Sequence, residues 1–147
     1  DYATVGPSAI AAAQMNTLYD DYNDSSVVRP LQIFNYDGGE LNSADPLDYA
    51  LPGTSGWEGG RMHVYEAGGE TGYVWRTTWS DERSADRFAA TWADVVEHWG
   101  GSRTTGSTWV IAEESPYSDA VAIHVEGDTV TVVNAPNEAE LRELYDA

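Results

Sequence analysis

The sequence contains no cysteine and no lysine. Without cysteine there is no disulfide framework and no thiolate chemistry, and the redox compartment is left open. Every basic residue is an arginine, at positions 29, 61, 76, 83, 87, 103 and 142. They are scattered along the chain, so no basic cluster exists to neutralise phosphates, and neither nucleic acid nor an anionic membrane is expected as a partner. No segment approaches the ~18 consecutive apolar residues of a spanning helix, so no membrane insertion is expected. Leucine, isoleucine, valine and phenylalanine are sparse as well, a deficit that in a highly charged chain usually marks disorder.

What is present reverses that last inference. Six tryptophans and nine tyrosines recur inside periodic segments, and each can bury about 150–250 Å². The expected core is aromatic and valine-rich. The 25 Asp and Glu residues against 7 Arg give a formal net charge of −18. Self-repulsion of that size opposes folding in dilute buffer, whereas molar salt shortens the screening length to about 3 Å. The chain therefore reads as halophilic, with solvated cations around it at high salt. It begins with Asp1 rather than Met, as expected of a matured or excised piece that lacks its signal.

One domain is expected over residues 1–147, with a helix and wrapping loop in 1–60 and an α+β core in 61–147. Pro7 suits a first helical turn, and Ile10, Met15, Leu18 and Tyr22 form a sparse apolar stripe, which predicts a helix over 6–22. From Asn23 to Gly60 the composition is that of a loop, pinned by Phe34, Tyr36 and Tyr49. Strands are predicted over 61–65 and 73–79, joined across Gly68-Gly69 as a hairpin. Ser80 reads as the N-cap of an amphipathic helix through Ala85, Phe88, Ala89, Trp92, Val95, Val96 and Trp99. Further strands follow over 108–113, 120–126 and 129–133, the last two joined at Gly127-Asp128, and Pro136 opens a terminal helix. The expected fold is α+β: one antiparallel sheet in the order ββαβββα with the long amphipathic helix packed on it, plus the N-terminal helix and the long loop.

Candidate chemistry is thin. Histidines stand at 63, 98 and 124, with no His-Glu-x-x-His helix and no cysteine, so no metal motif and no cofactor is indicated. His63 and His124, on predicted strands, are candidate binding residues, weighed against ordinary structural histidines. Paired acids such as Glu113-Glu114 and Asp20-Asp21 have the composition of glycosidase carboxylates, but with this many acids a solvated surface explains them. Asp21, Asn23 and Ser25 place oxygen ligands at alternate positions. Ser26 and Gln32 then occupy the glycine and glutamate positions of a calcium loop, leaving a loose cation site as the candidate. Asn23-Asp24-Ser25 is also a glycosylation sequon, which puts Asn23 forward if the chain is exported. Tyr73, Trp75, Thr77 and Trp79 alternate on one strand face. Exposed, they form a sugar-binding platform; buried, they are core or dimer contact.

The block Gly56-Trp57-Glu58-Gly59-Gly60-Arg61-Met62-His63-Val64-Tyr65, with Tyr73-Val74-Trp75-Arg76-Thr77-Thr78-Trp79-Ser80-Asp81-Glu82 and the helix Ala85 to Trp92, resembles the C-terminal part of exported surface proteins of haloarchaea. The preceding half of those proteins resembles zinc metallopeptidases. The likeness covers about residues 1–95 and rests on glycine, tryptophan and tyrosine positions. It implies an exported, salt-adapted domain that follows a peptidase-like portion. The peptidase signature is absent here, so no catalytic residue or metal ligand is carried over.

The sequence thus points to a non-catalytic accessory or binding domain of an exported surface protein, located extracellularly or at the cell surface, with the cytoplasm of a halophile left open. Its expected partner is a neighbouring domain or protein, a homo-oligomer included. The alternatives are a small hydrolase using surface carboxylates and a histidine, and an aromatic-platform carbohydrate binder. The charge also carries a physical expectation: circular dichroism should show the fold loosening below a few tenths molar salt, and an unchanged spectrum at low ionic strength would refute the halophilic reading.

Overall fold

A computed structural model describes Tyr2, Ala3, Ile10, Ala13, Tyr36, Asp37, Glu40, Leu41, Ser43 and residues 52–113 and 119–146. Nine strands are described: β1 (Tyr2–Ala3), β2 (Tyr36–Asp37), β3 (Glu40–Leu41), β4 (Trp57–Ala67), β5 (Glu70–Trp79), β6 (Gly101–Arg103), β7 (Thr108–Ile111), β8 (Ala120–Glu126) and β9 (Thr129–Ala135). Two helices accompany them, α1 (Glu82–His98) and α2 (Glu138–Asp146). Six strands from residues 57–135, together with the short β1, form one sheet in the order β1-β4-β5-β9-β8-β7-β6. All of its pairings are antiparallel, and β2 pairs separately with β3. The protein is α+β.

The β4–β5 hairpin turns on Gly68 and Gly69, at φ of +62° and +87°, the left-handed backbone that a tight hairpin turn demands and a side chain resists. From β5 the chain enters α1, crosses one face of the sheet, and emerges at the far edge as β6. The strands β6 to β9 then step back one at a time until β9 lies against β5. Register decides which residues share a face, because partners directly opposite project the same way. Met62, Trp75, Val132 and Ile123 form one such row, and α1 covers it.

Beneath α1 lies a run of aromatic rings. Trp57 meets Trp79 edge to face at 5.5 Å, Trp79 stacks on Phe88 at 4.7 Å, and Phe88 meets Trp75 at 5.5 Å. Trp75 in turn meets Trp92 at 5.2 Å, and Trp92 meets Trp99 at 5.8 Å. Each such contact contributes about 0.5–1.5 kcal/mol beyond the area it buries. Val130, Val132, Val121, Ile123, Trp109 and Ile10 fill the space around the run. On the opposite face, Leu141 and Leu144 of α2 pack on Ala120, Ala122, Val133 and Ala135, with Val74 and Val110 at the margin. The molecule is therefore layered helix, sheet, helix.

Several boundaries differ from the sequence expectations, each for a local reason. The strand expected from Arg61 begins four residues earlier, at Trp57. A bulge between Trp57 and Gly59 lets the Trp57 ring fold over Gly60, where a Cβ would come within 2.5 Å of that ring. The cap of α1 is Asp81, not Ser80: its Oδ1 accepts from Ser84 N at 2.7 Å. Ser80 N still donates to Gly56 O at 2.8 Å, so the chain leaves the sheet one residue later than composition suggested. An extra strand, β6, lies between the helix and the third expected strand, making the order from β4 onward ββαββββα. It was not legible because it is three residues long, with Gly101 pressed on Val96, where a Cβ would meet Cγ1 and O at 2.8 Å.

The terminal helix starts at Glu138 rather than Pro136, and Asn137 caps it. Glu140 N donates to Asn137 Oδ1 at 3.0 Å, the N-cap bond, while Asn137 Nδ2 donates to Glu140 Oε1 at 3.3 Å. Of the helix expected over 6–22, Ile10 and Ala13 are helical and the rest lies outside the described residues. The same holds for most of the loop expected over 23–60, including Phe34 and Tyr49. Its described parts are the β2–β3 ladder, Ser43, a 3₁₀ turn at Pro52–Thr54 and residues 55–60, which lead into and begin β4.

Inside the core a short polar relay is built in. Trp79 Nε1 donates to Thr77 Oγ1 at 2.9 Å, and Thr77 Oγ1 donates to Val130 O at 3.0 Å. The indole N–H groups of Trp75 and Trp92 are buried without a hydrogen-bond partner. Thr77→Val should therefore cost about 1–3 kcal/mol in denaturant unfolding, since it strands the Trp79 N–H in a dry interior. Followed by Trp79→Phe, the same change should cost measurably less, because no indole donor is then left behind.

Candidate functional site

Alternation along β4 places Arg61, His63 and Tyr65 on the sheet face that α2 packs against, and register assigns their neighbours. Arg61 lies opposite Arg76 on β5, Arg76 opposite Thr131 on β9, and Thr131 opposite His124 on β8. His63 heads the adjacent row, through Val74 and Val133 to Ala122. β5 and β9 thus stand between His63 and His124. At about 4.8 Å per strand, with a further two residues of offset along β8, the two backbone positions are about 16 Å apart, too far for the histidines to share a proton or a ligand atom. His63 stacks on Tyr65, centroids 4.3 Å apart, and His124 meets the Tyr145 ring edge-on at 5.8 Å. His98 ends α1 on the opposite side of the sheet, where a basic group suits the negative helix end. The three histidines do not converge.

The strand face of Tyr73, Trp75, Thr77 and Trp79, a platform if exposed and core or dimer contact if buried, lies in the core. Trp75 and Trp79 are 1% and 0% exposed, sealed under α1 by Phe88 and Trp92, and Tyr73 is partly buried beside them. The amphipathic helix needed an apolar sheet face, and this strand supplies it. Asp21, Asn23 and Ser25, the loose cation candidates, and Asn23 as a glycosylation site lie outside the described residues, as do Asp20 and Glu114. Glu113 is exposed. Among the described residues no group of three or more histidine, cysteine, aspartate or glutamate side chains is placed to hold a metal ion. Among them, too, no helix is long and apolar enough to cross a membrane.

The titratable groups that depart from ordinary behaviour do so for structural reasons. Burial, and then the Asp119 carboxylate, push the Tyr73 phenol up to about 12. The Asp81 carboxyl is held down first by the Ser84 backbone N–H it accepts, as its capping role requires. Burial raises Asp119, and the hydrogen bond from Asn134 Nδ2 at 3.0 Å partly offsets that rise.

Three depressions mark the α2 side. One of about 240 Å³ lies between β7, β8 and α2, lined by Ser107, Thr108, Ala122, Leu141, Arg142 and Tyr145. Another, about 430 Å³, lies along Tyr65, Gly72, Leu144 and the acids Glu70, Glu140 and Glu143. The third is an open trough of about 490 Å³ lined by Glu58, Gly59, Gly60, Arg61, Arg76 and Thr78. Its floor is bare because a Cβ on Gly59 would meet nothing within 4 Å. Sequence reasoning placed Arg61 and Arg76 on strands but did not bring them together. The signal was present: a two-residue turn at Gly68-Gly69 pairs Ala67 with Glu70 and so, counting back along both strands, Arg61 with Arg76.

The chain matches, over residues 1–145, the model of a family described as a domain of unknown function (DUF8575), and it belongs to that family. No curated protein and no solved structure matches it.

The Asp119 environment yields a pH prediction. Its folded pKa is raised, so the native state holds this proton more tightly than the unfolded chain does. The stability this contributes is fully present below the ordinary value of 3.8 and is lost as pH rises through the folded pKa. Asp119→Asn keeps an acceptor for Asn134 but removes the charge. In urea unfolding at fixed salt, the stability of the wild-type protein minus that of the variant should fall between acid and neutral pH. A difference independent of pH would show that burial does not perturb this carboxylate.

Proposed function

We propose that this chain is a non-catalytic, salt-adapted accessory or binding domain of an exported surface protein, holding a ligand, neighbouring domain or protein partner on one sheet face. The observation that carries the reading is the uneven cover of the sheet. The long amphipathic α1 closes one face over the aromatic run. On the other face, α2 is centred on β8 and β9, while Arg61, Tyr65, Arg76 and Thr78 of β4 and β5 are exposed. A hairpin with strands of eleven and ten residues offers there a firm, flat surface, the setting on which binding side chains are best held. The charge of −18 supports salt adaptation by keeping an acidic surface hydrated where salt screens its repulsion. The resemblance to the C-terminal region of peptidase-associated surface proteins supports export and an accessory role. Separation of His63 from His124 weighs against the hydrolase alternative, because acid and base must reach one substrate.

The test is a screen of peptide, ester and glycoside substrates in about 2 M salt, where the acidic surface is screened. No turnover is expected. Turnover that disappears in His63→Ala or His124→Ala, with circular dichroism unchanged, would replace the binding reading with the hydrolase.

A further inference from the structure

The depression between β7, β8 and α2 is framed by a chain of specific contacts. On one side the turn between β6 and β7 is held by Thr104 N donating to Thr108 O at 2.9 Å and Thr108 N donating to Thr105 O at 3.0 Å. Thr104 Oγ1 then donates to Glu138 Oε1 at 3.1 Å, which ties that turn to the start of α2. The floor is apolar, from Ala122 of β8 and Leu141 of α2, both buried. At the far end the ring of Tyr145 stands against His124, edge to face at 5.8 Å. Ser107 and Thr108 bring hydroxyls to the rim, and Arg142 is the one charged residue that lines the cavity. In a chain of 25 acids that guanidinium is left over. Glu138 stands four residues before Arg142, the spacing at which a helix pairs opposite charges, yet its carboxylate is taken by Thr104. Among the described residues Arg142 makes no hydrogen bond or ion pair. An unmatched cation thus borders an apolar floor in a cavity of about 240 Å³.

We propose that this cavity binds a small monocarboxylate with a compact apolar body, the carboxylate on Arg142 and the body over Ala122 and Leu141. Size and charge argue for that class together. An apolar cavity of about 150 Å³ takes a benzene ring, so one of about 240 Å³ takes a ring with a short carboxylate arm. One guanidinium matches one carboxylate through two parallel N–H bonds, and the Ser107 and Thr108 hydroxyls offer further donors. A polyanion is disfavoured by the negative C-terminal end of α2 and by the net charge of −18. Molar salt shortens the reach of the charge attraction to about 3 Å but leaves apolar burial in place, so the ligand needs its apolar body as well as its charge. The site lies toward the opposite edge of the sheet from the exposed residues of β4 and β5, and it does not rest on the binding reading of that surface.

The experiment is an NMR titration of the whole, nitrogen-labelled chain with phenylacetate in about 2 M potassium chloride, following the backbone amides. Phenylacetamide, which keeps the ring and loses the charge, and acetate, which keeps the charge and loses the ring, are the comparison ligands. Phenylacetate should shift the amides of Ser107, Thr108, His124 and Tyr145, and Arg142→Gln should weaken its binding about tenfold or more. Arg142 is exposed, so this variant should keep the wild-type circular dichroism spectrum. Arg83→Gln, on the exposed first turn of α1, should bind as the wild-type protein does. Phenylacetamide and acetate should each bind at least about tenfold more weakly than phenylacetate. The proposal is overturned if phenylacetate does not bind the folded protein, if its shifts fall elsewhere, if Arg142→Gln leaves its affinity unchanged, or if either comparison ligand binds as tightly. Each of those results would leave the reading of the β4 and β5 surface standing, and the substrate screen decides catalysis separately.

Discussion

The structure depends on one continuous contact, the run of rings from Trp57 through Trp79, Phe88, Trp75 and Trp92 to Trp99. It joins the first long strand, the second and the whole length of α1. A chain poor in aliphatic residues cannot build its interior from leucine, and each of these rings removes far more surface from water than an aliphatic side chain does. The geometry of the neighbouring elements follows from the run. β4 must bulge and carry glycine at 60 so that Trp57 reaches Trp79. Thr77, between Trp75 and Trp79, gives the buried Trp79 indole N–H its acceptor. The cap at Asp81 fixes where α1 begins and hence which of its residues meet the rings.

At the margin of that interior, two buried polar groups have partners. Trp109, at the far edge of the core, donates its indole N–H to Glu97 at 3.0 Å, and the Arg103 guanidinium lies 4.8 Å from the centre of its ring. Asn134, buried on β9, has the Asp119 carboxylate as its acceptor. These contacts tie α1 and the strand ends to the sheet with few aliphatic side chains. Among the described residues, Glu58, Glu66, Glu70, Glu82, Asp86, Glu126 and Asp128 are exposed. Core and surface answer the same compositional constraint: apolar burial is concentrated in a few large side chains, and nearly everything else is free to be acidic.

The two faces of the sheet differ in what they leave over. One is closed by α1 and carries the candidate platform residues Trp75 and Trp79 into the interior. Among the described residues the other is covered by the smaller α2 over β8 and β9, and beyond it Arg61, Tyr65 and Arg76 are exposed. Candidates chosen for chemical type alone were therefore divided between a buried face and an open one. Tryptophans on β5 became scaffold, while arginines on β4 and β5 became the surface on which the binding reading rests.

By itself the sequence determined what depends on short-range pattern and bulk composition. Alternation on the two hairpin strands, the glycine pairs at the turn, the apolar spacing of α1 and the Gly127-Asp128 turn all act over a few residues, so an α+β chain with an antiparallel sheet was legible. Elements lacking a period of their own were not. Gly101–Arg103 is a strand only because β7 offers it an edge, and Trp57–Gly60 is extended only because a ring from one residue lies over another. Tertiary structure alone decided that β5 lies against β9, and which side of the sheet each helix covers. Those two choices buried Trp75 and Trp79 and put three strand spacings between His63 and His124. Within a hairpin the tight turn sets the register, as Gly68-Gly69 sets Arg61 against Arg76, whereas the β5–β9 pairing is a long-range property, fixed by burying one face of every strand at once, and no local stretch of this sequence encodes it.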